Sequence, residues 1–355
     1  MGYLNTEELK SNYKSSERCR GAGYLRFILM AFVCFWNYGF PEPTGFLSAI
    51  SGFAIPAFCI LSGYFVLTDD KNDRQKKTER KMKRSVLCFA AMFVFYLIIN
   101  VIVCYANNIS VTLSRRTIFN FVVLNLWFLP VGSNIWFIQA LFYAYIIIYA
   151  ADWLGLMKHY KPVMVLTFIF MLLTGEFAGV IHFSILGYTY IPGNWLTRAL
   201  PYLLLGRFLR EKSETLFNIK TWVYVMLLIV GAVLSLGEII LLGRTGFLVY
   251  QGHMIGYGIM AFSACGLALT APEMISTRIT YYDTALSGLI YIFMDPLYYA
   301  IGLIVGRIDL GVVLYLGGII ALVASIVLAF ILRKSIIARA FFTLKNNTFE
   351  PKDTE

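Results

Sequence analysis

The sequence predicts an all-α fold, a polytopic transmembrane helix bundle of about ten spans with both termini cytoplasmic. Composition, the spacing of apolar runs and the distribution of positive charge each lead there. Of 355 residues, 59% are hydrophobic and 14% charged, with a mean hydropathy of +0.71. Ordinary soluble domains carry roughly 25% charged residues. No soluble fold of this length has interior enough to hide that much apolar surface, so lipid is its natural solvent.

A helix needs about 20 apolar residues to cross the hydrocarbon core. Runs of that kind fall at 23–40, 45–68, 85–105, 134–153, 162–182, 195–209, 219–242, 253–271, 285–305 and 311–332. The sixth is short, and the apolar stretch 117–131 suits a half-buried or re-entrant segment. With the N-terminus inside, 24 of the 30 Lys and Arg residues fall on the cytoplasmic side of this arrangement. Five, Arg115, Arg116, Arg198, Arg244 and Arg307, fall on the other, and Arg26 stands at the mouth of the first span. Short cytoplasmic loops collect positive charge, so the span count and the orientation support each other.

The organisation that follows is a cytoplasmic N-terminal segment over 1–22, the bundle over 23–333 and a cytoplasmic tail over 334–355. Polar residues precede the first run and no small-residue cleavage site follows it, so the first span is expected to stay in the membrane. The basic stretch from Asp69 to Arg84 reads as a stop signal between spans that also attracts anionic lipid headgroups.

Composition also excludes several function classes. A net charge of +10 raises the question of nucleic acid. The cations, however, sit between apolar runs instead of along one polar face, so the partner they imply is membrane lipid and no nucleic acid is expected. The six cysteines are scattered singly, without disulfide or metal-ligand spacing. No glycine-rich phosphate loop and no metal-binding motif is present.

Ionisable side chains at membrane depth are costly and point to function. Here they are Arg26, Glu176, Arg198, Glu238, Asp283 and Asp295. Eleven helical steps, roughly 16 Å, separate Arg26 from Asn37 and return the chain to within about 20° of the same face. Both are therefore placed to line one cavity, with Asn37 near mid-membrane. A snorkelling role for Arg26 and an interhelical hydrogen bond for Asn37 are the structural alternatives. Pro296, next to Asp295, frees a backbone carbonyl in the preceding turn. Asp295 can serve as a base there, or pair with an arginine such as Arg26 or Arg198.

Six segments stand in order along the chain. Tyr24-Leu25-Arg26-Phe27-Ile28 leads to Trp36-Asn37. Ile55-Pro56 opens an apolar run ending in Ser62-Gly63-Tyr64, and Arg80-Lys81-Met82-Lys83-Arg84 opens the next. Gly132-Ser133-Asn134-Ile135-Trp136-Phe137, Pro201 to Gly206, and Ser287 through Tyr291 to Asp295-Pro296 complete the series. In order, spacing and hydrophobic context they resemble the integral-membrane acyltransferase-3 family, over about residues 22–333. Asn37, Asn134 and Asp295 stand where that family usually shows histidine, and the three histidines, His159, His182 and His253, lie elsewhere.

The resemblance implies an enzyme of a bacterial cytoplasmic (inner) membrane that moves an acyl group, commonly acetyl, from acyl-coenzyme A (acetyl-CoA) to a hydroxyl of a surface glycan or lipid-linked sugar. Arg26, with Lys81 and Arg84, would hold the donor's phosphates. Asn37 and Asp295 would orient or deprotonate the acceptor, because an asparagine amide has no usable basicity and a carboxylate does. The lost histidines leave two other readings: a glycan exporter or flippase that keeps the cavity without the chemistry, and a membrane scaffold. A homo-oligomer is compatible with all three.

Overall fold

With no water in the hydrocarbon layer, each backbone N–H and C=O of a span must be bonded inside its own segment, which makes helices of the apolar runs. The computed structural model describes residues 6–40, 45–182, 184, 191, 193–246, 252–270, 283–308 and 316–332. Among these residues there is no strand. The chain runs through α1 (Thr6–Tyr38), α2 (Phe46–Ile50), α3 (Ala54–Val66), α4 (Lys71–Ala106), α5 (Arg115–Leu124), α6 (Ile135–Trp153) and α7 (Tyr160–Thr174). It continues through α8 (Leu200–Glu211), α9 (Ser213–Phe217), α10 (Thr221–Thr245), α11 (Ile255–Thr270), α12 (Asp283–Ile308) and α13 (Gly317–Leu332).

Five segments are long and apolar enough to cross a membrane: Phe46–Val66, Lys71–Ala106, Ile135–Trp153, Leu156–Thr174 and Thr221–Arg244. Three more apolar helices, Ile255–Thr270, Ser287–Leu303 and Gly317–Leu332, are shorter. The chain is thus a multi-pass helical membrane protein.

Two boundaries differ from the sequence reading. The basic stretch before Arg84 is no loop but the opening turns of α4. Asp70 caps it by accepting the Asp73 N–H at 2.6 Å, and Lys77–Asp73 and Lys83–Glu79 pair one turn apart. Straight-chain charged residues favour helix, which explains the extension. The fifth run ends early, at Thr174, where Gly175 and a 3₁₀ turn over Glu176–Ala178 follow. The tail 334–355, residues 311–315 and the side chain of Asp283 lie outside the described residues.

Helix α1 packs against α3, α11, α12 and α13, and α3 lies along α8. That last contact depends on Gly63 and Gly206. A methyl group at either would collide with the facing helix's backbone, the Leu203 carbonyl in one case and the Ile60 carbonyl in the other. Small residues of this kind let helices approach in lipid, where no hydrophobic force drives them together. By contrast α4 and α10 present Leu97, Ile98, Val101, Ile102, Met226 and Val233 outward, as lipid-facing helices do.

The C-terminal end of α3 is closed by three arginines. Arg74 of α4 donates through Nη1 to the carbonyls of Thr68 (2.8 Å) and Asp69 (3.0 Å), and through Nη2 to Asp152 of α6 (2.6 Å). Arg207 and Arg210 of α8 donate to Thr68 O (3.3 Å) and Tyr64 O (3.1 Å). The last carbonyls of a helix have no intrahelical partner and carry its negative dipole end, so guanidinium groups suit them. Both members of the Arg74–Asp152 pair are buried. Arg74→Ala is expected to cost about 3–5 kcal/mol by leaving Asp152 buried and unpaired. Thermal unfolding of the purified protein should show Arg74→Ala alone more destabilised than Arg74→Ala with Asp152→Ala.

Candidate functional site

Two polar groupings stand along α1, one where its apolar part begins and one at its last residue. In the first, Arg26, half-buried, lies over the Phe65 ring of α3 with 5.4 Å to its centroid. One turn before the apolar part of α4, Lys81 and Arg84 lie near enough for their charges to act on it and on each other. The helical opening of α4 produces this cluster, since Lys81 and Arg84, three residues apart, share a face. Chemically it is a concentration of positive charge suited to phosphate.

The second grouping forms around a break in the helices. After α4 the chain turns back, and α5 descends beside it with Phe121 against Phe89 and Phe93. Phe89 and Phe93 belong to the apolar run of α4, so α5 is re-entrant, as the stretch 117–131 suggested. Its end is marked by Asn125 at a φ of 59°, and residues 126–134 cross back to α6 without regular helix. Backbone of that kind at membrane depth must find partners in side chains.

It finds them on two helices, α4 and α12. Asn100 of α4 donates to Val131 O at 2.7 Å and accepts the Val131 N–H at 2.9 Å. Asp295 of α12, buried, accepts the N–H groups of Gly132 and Ser133 through Oδ2, the latter at 3.1 Å. Gly132 takes a φ of 100°, which only glycine adopts readily, and this aims the two amides at one oxygen. The other carboxylate oxygen accepts the Tyr38 hydroxyl of α1 at 2.7 Å. Asn134 donates to Tyr291 O at 2.7 Å, and its amide oxygen lies 2.9 Å from the Tyr96 hydroxyl. That hydroxyl also reaches Ile292 O at 2.9 Å, the carbonyl whose helical donor Pro296 removes.

The structure therefore does not gather the sequence candidates at one point. Arg26, Lys81 and Arg84 come together; Asp295 lies beyond Tyr38, twelve residues or roughly 18 Å farther along α1. Among the described residues Asp295 forms no ion pair with Arg26 or Arg198, as its oxygens are taken by Tyr38 and the loop. Asn37 is exposed in the last turn of α1, and its side-chain amide donates to Val33 O of its own helix at 2.8 Å. The reason is that α1 ends at Tyr38, so its final turn has fewer neighbours. Glu176 and Glu238 accept backbone N–H groups of Gly252 and of Ile255 and Gly256.

Tyr38, Tyr96 and Asn100 escaped the sequence reading. Asn100, alone within an apolar run, was the available signal. The tyrosines gave none, being ordinary packing residues in such a chain.

In comparisons with known proteins, a family model described as an acyltransferase domain matches residues 21–334. No curated protein and no solved structure matches the chain.

Removing the carboxylate should open the second grouping. Asp295→Ala leaves the buried Gly132 amide without an acceptor, at about 1–3 kcal/mol, and frees the less buried Ser133 amide as well. Asp295→Asn keeps one acceptor oxygen and should lose about half as much, which thermal unfolding in detergent can resolve.

Proposed function

The chain belongs to the acyltransferase-3 family, and from that premise we propose that it transfers an acyl group, acetyl in the simplest case, from acyl-coenzyme A to a hydroxyl of a surface glycan or lipid-linked sugar. The observation that carries this reading is the cluster of Arg26, Lys81 and Arg84 where the apolar part of α1 begins, with the buried carboxylate of Asp295 beside that helix's last residue, Tyr38. A donor with phosphates at one end and its acyl carbon at the other, joined by an extended arm, suits that separation.

In this reading the chain crosses the bacterial cytoplasmic membrane about ten times, with both termini on the cytoplasmic side. The three cations hold the donor's phosphates on the cytoplasmic side. At the outer end Tyr38, half-buried, stands between the buried Asp295 and accessible space. Its hydroxyl oxygen accepts the proton of the sugar hydroxyl as its own proton passes to Asp295, over the 2.7 Å contact. The freed sugar oxygen attacks the acyl carbon, the C–S bond breaks, and the thiolate leaves. Asn37 contributes the carbonyl oxygen of its amide, its nitrogen being engaged with Val33 O. A carboxylate acting through a tyrosine thus does the work expected of the absent histidine.

General-base catalysis is worth about 10²–10⁴-fold in rate. Tyr38→Phe and Asp295→Asn should each lower surface O-acylation by at least about 100-fold at normal protein level, read by mass spectrometry of glycans from complemented deletion strains. Glycan that is unacylated in the wild type, but retained inside the deletion strain, would speak instead for an exporter.

A further inference from the structure

A second buried cation takes no part in that scheme. Arg198 lies in a π-helical turn (Trp195–Ala199) that opens α8, twelve residues or roughly 18 Å outward from Arg210. It is only 4% exposed. Of its five N–H donors, those on Nη2 reach the carbonyl of Gly252; among the described residues Nε and Nη1 have no acceptor, and no carboxylate forms an ion pair with it. The nearby acids are turned elsewhere: Glu176 accepts the Gly252 N–H at 2.8 Å, and Glu238 accepts the amides that start α11, Ile255 and Gly256, at 3.1 Å each. A charge withdrawn from water without a counter-ion is costly, and at membrane depth such a residue marks a binding function.

Its surroundings are built for the guanidinium and leave one end of it open. Trp36 of α1 and Trp136 of α6 flank it, their rings 6.0 and 5.7 Å from its carbon. A side chain on Gly193 would meet Arg198 Cδ at 2.8 Å and Nη1 at 3.1 Å, so the missing methyl leaves the head group its place. Trp36 precedes Asn37, and Trp136 follows Asn134 by two positions, so the cation stands between the segments that form the second grouping.

We propose that Arg198, between Trp36 and Trp136, is a binding site for an oxyanion, carboxylate or phosphate, carried by the acceptor. The protein would thus select a sugar bearing negative charge. The indoles give the sugar ring apolar faces, and the free donors of Arg198 receive the oxyanion in a planar fork. The assignment of this anion to the acceptor rests on the acyltransferase reading; the binding itself does not.

The test uses the full chain in lipid nanodiscs without any acyl donor, following intrinsic tryptophan fluorescence. Three probes are titrated: methyl β-D-glucuronide, glycerol 3-phosphate and the neutral methyl β-D-glucoside. At least one anion should bind about tenfold tighter than the glucoside, the scale of one charge-assisted hydrogen bond, and which of the two does so identifies the group. Arg198→Gln should abolish that preference, and Gly193→Ala, which keeps every charge but crowds Nη1, should reduce it. Equal binding of all three probes, no binding of any, or a preference that survives in folded Arg198→Gln or is untouched in Gly193→Ala would overturn the proposal. Transfer is assayed separately with radiolabelled acetyl-CoA. Loss of transfer with anion binding intact would count against the acyltransferase reading alone.

Discussion

Inside lipid a backbone amide without a partner is one of the costliest things a protein can contain, and among the described residues two places where regular helical pairing is lost meet each other. One break is the return from α5 to α6, the other is Pro296 within α12. The two are solved jointly. Asn100 and Asp295 take the loop's N–H and C=O groups, and Tyr96 takes the carbonyl that the proline exposes. The positions of α1, α4, α6 and α12 are tied to one another by this knot of side chains, because each supplies a group that the others leave unsatisfied.

Several features follow from that constraint. Asp295 has a fixed position because three donors hold it, and through Tyr38 it fixes the outer end of α1. The other end of the bundle is held differently, by Arg74, Arg207 and Arg210 on the carbonyl end of α3. Between these two anchored regions α1 carries Arg26, where its apolar part begins, and Tyr38, its last residue. An extended donor bound along such a helix would have both its charged end and its reacting end positioned by rigid elements, which favours reaction through orientation.

Much of this could be read from residues alone. The apolar runs and the asymmetry of Lys and Arg gave the helical membrane fold, and the apolar stretch 117–131 betrayed a segment too short to cross. Arg26, Lys81 and Arg84 were legible as one cluster because a family likeness marked them. The helical start of α4 was hidden, since a charged run looks the same as loop or as exposed helix until its cap, Asp70, is seen in place. Asn37 misled, because helical periodicity gives a residue's face but not the point at which neighbouring helices stop covering it. The partners of Asp295 lay 162, 163 and 257 residues away in sequence, and no local pattern encodes contacts of that range.

The claim that Asp295 clamps the re-entrant loop can be measured at the amides themselves. Hydrogen exchange of the protein in nanodiscs, followed by mass spectrometry over peptides containing Gly132 and Ser133, should show slow exchange in the wild type. In Asp295→Ala these amides should exchange far faster, while peptides from α10 keep their protection. Fast exchange at Gly132 and Ser133 in the wild type, or equal protection in the variant, would contradict the account.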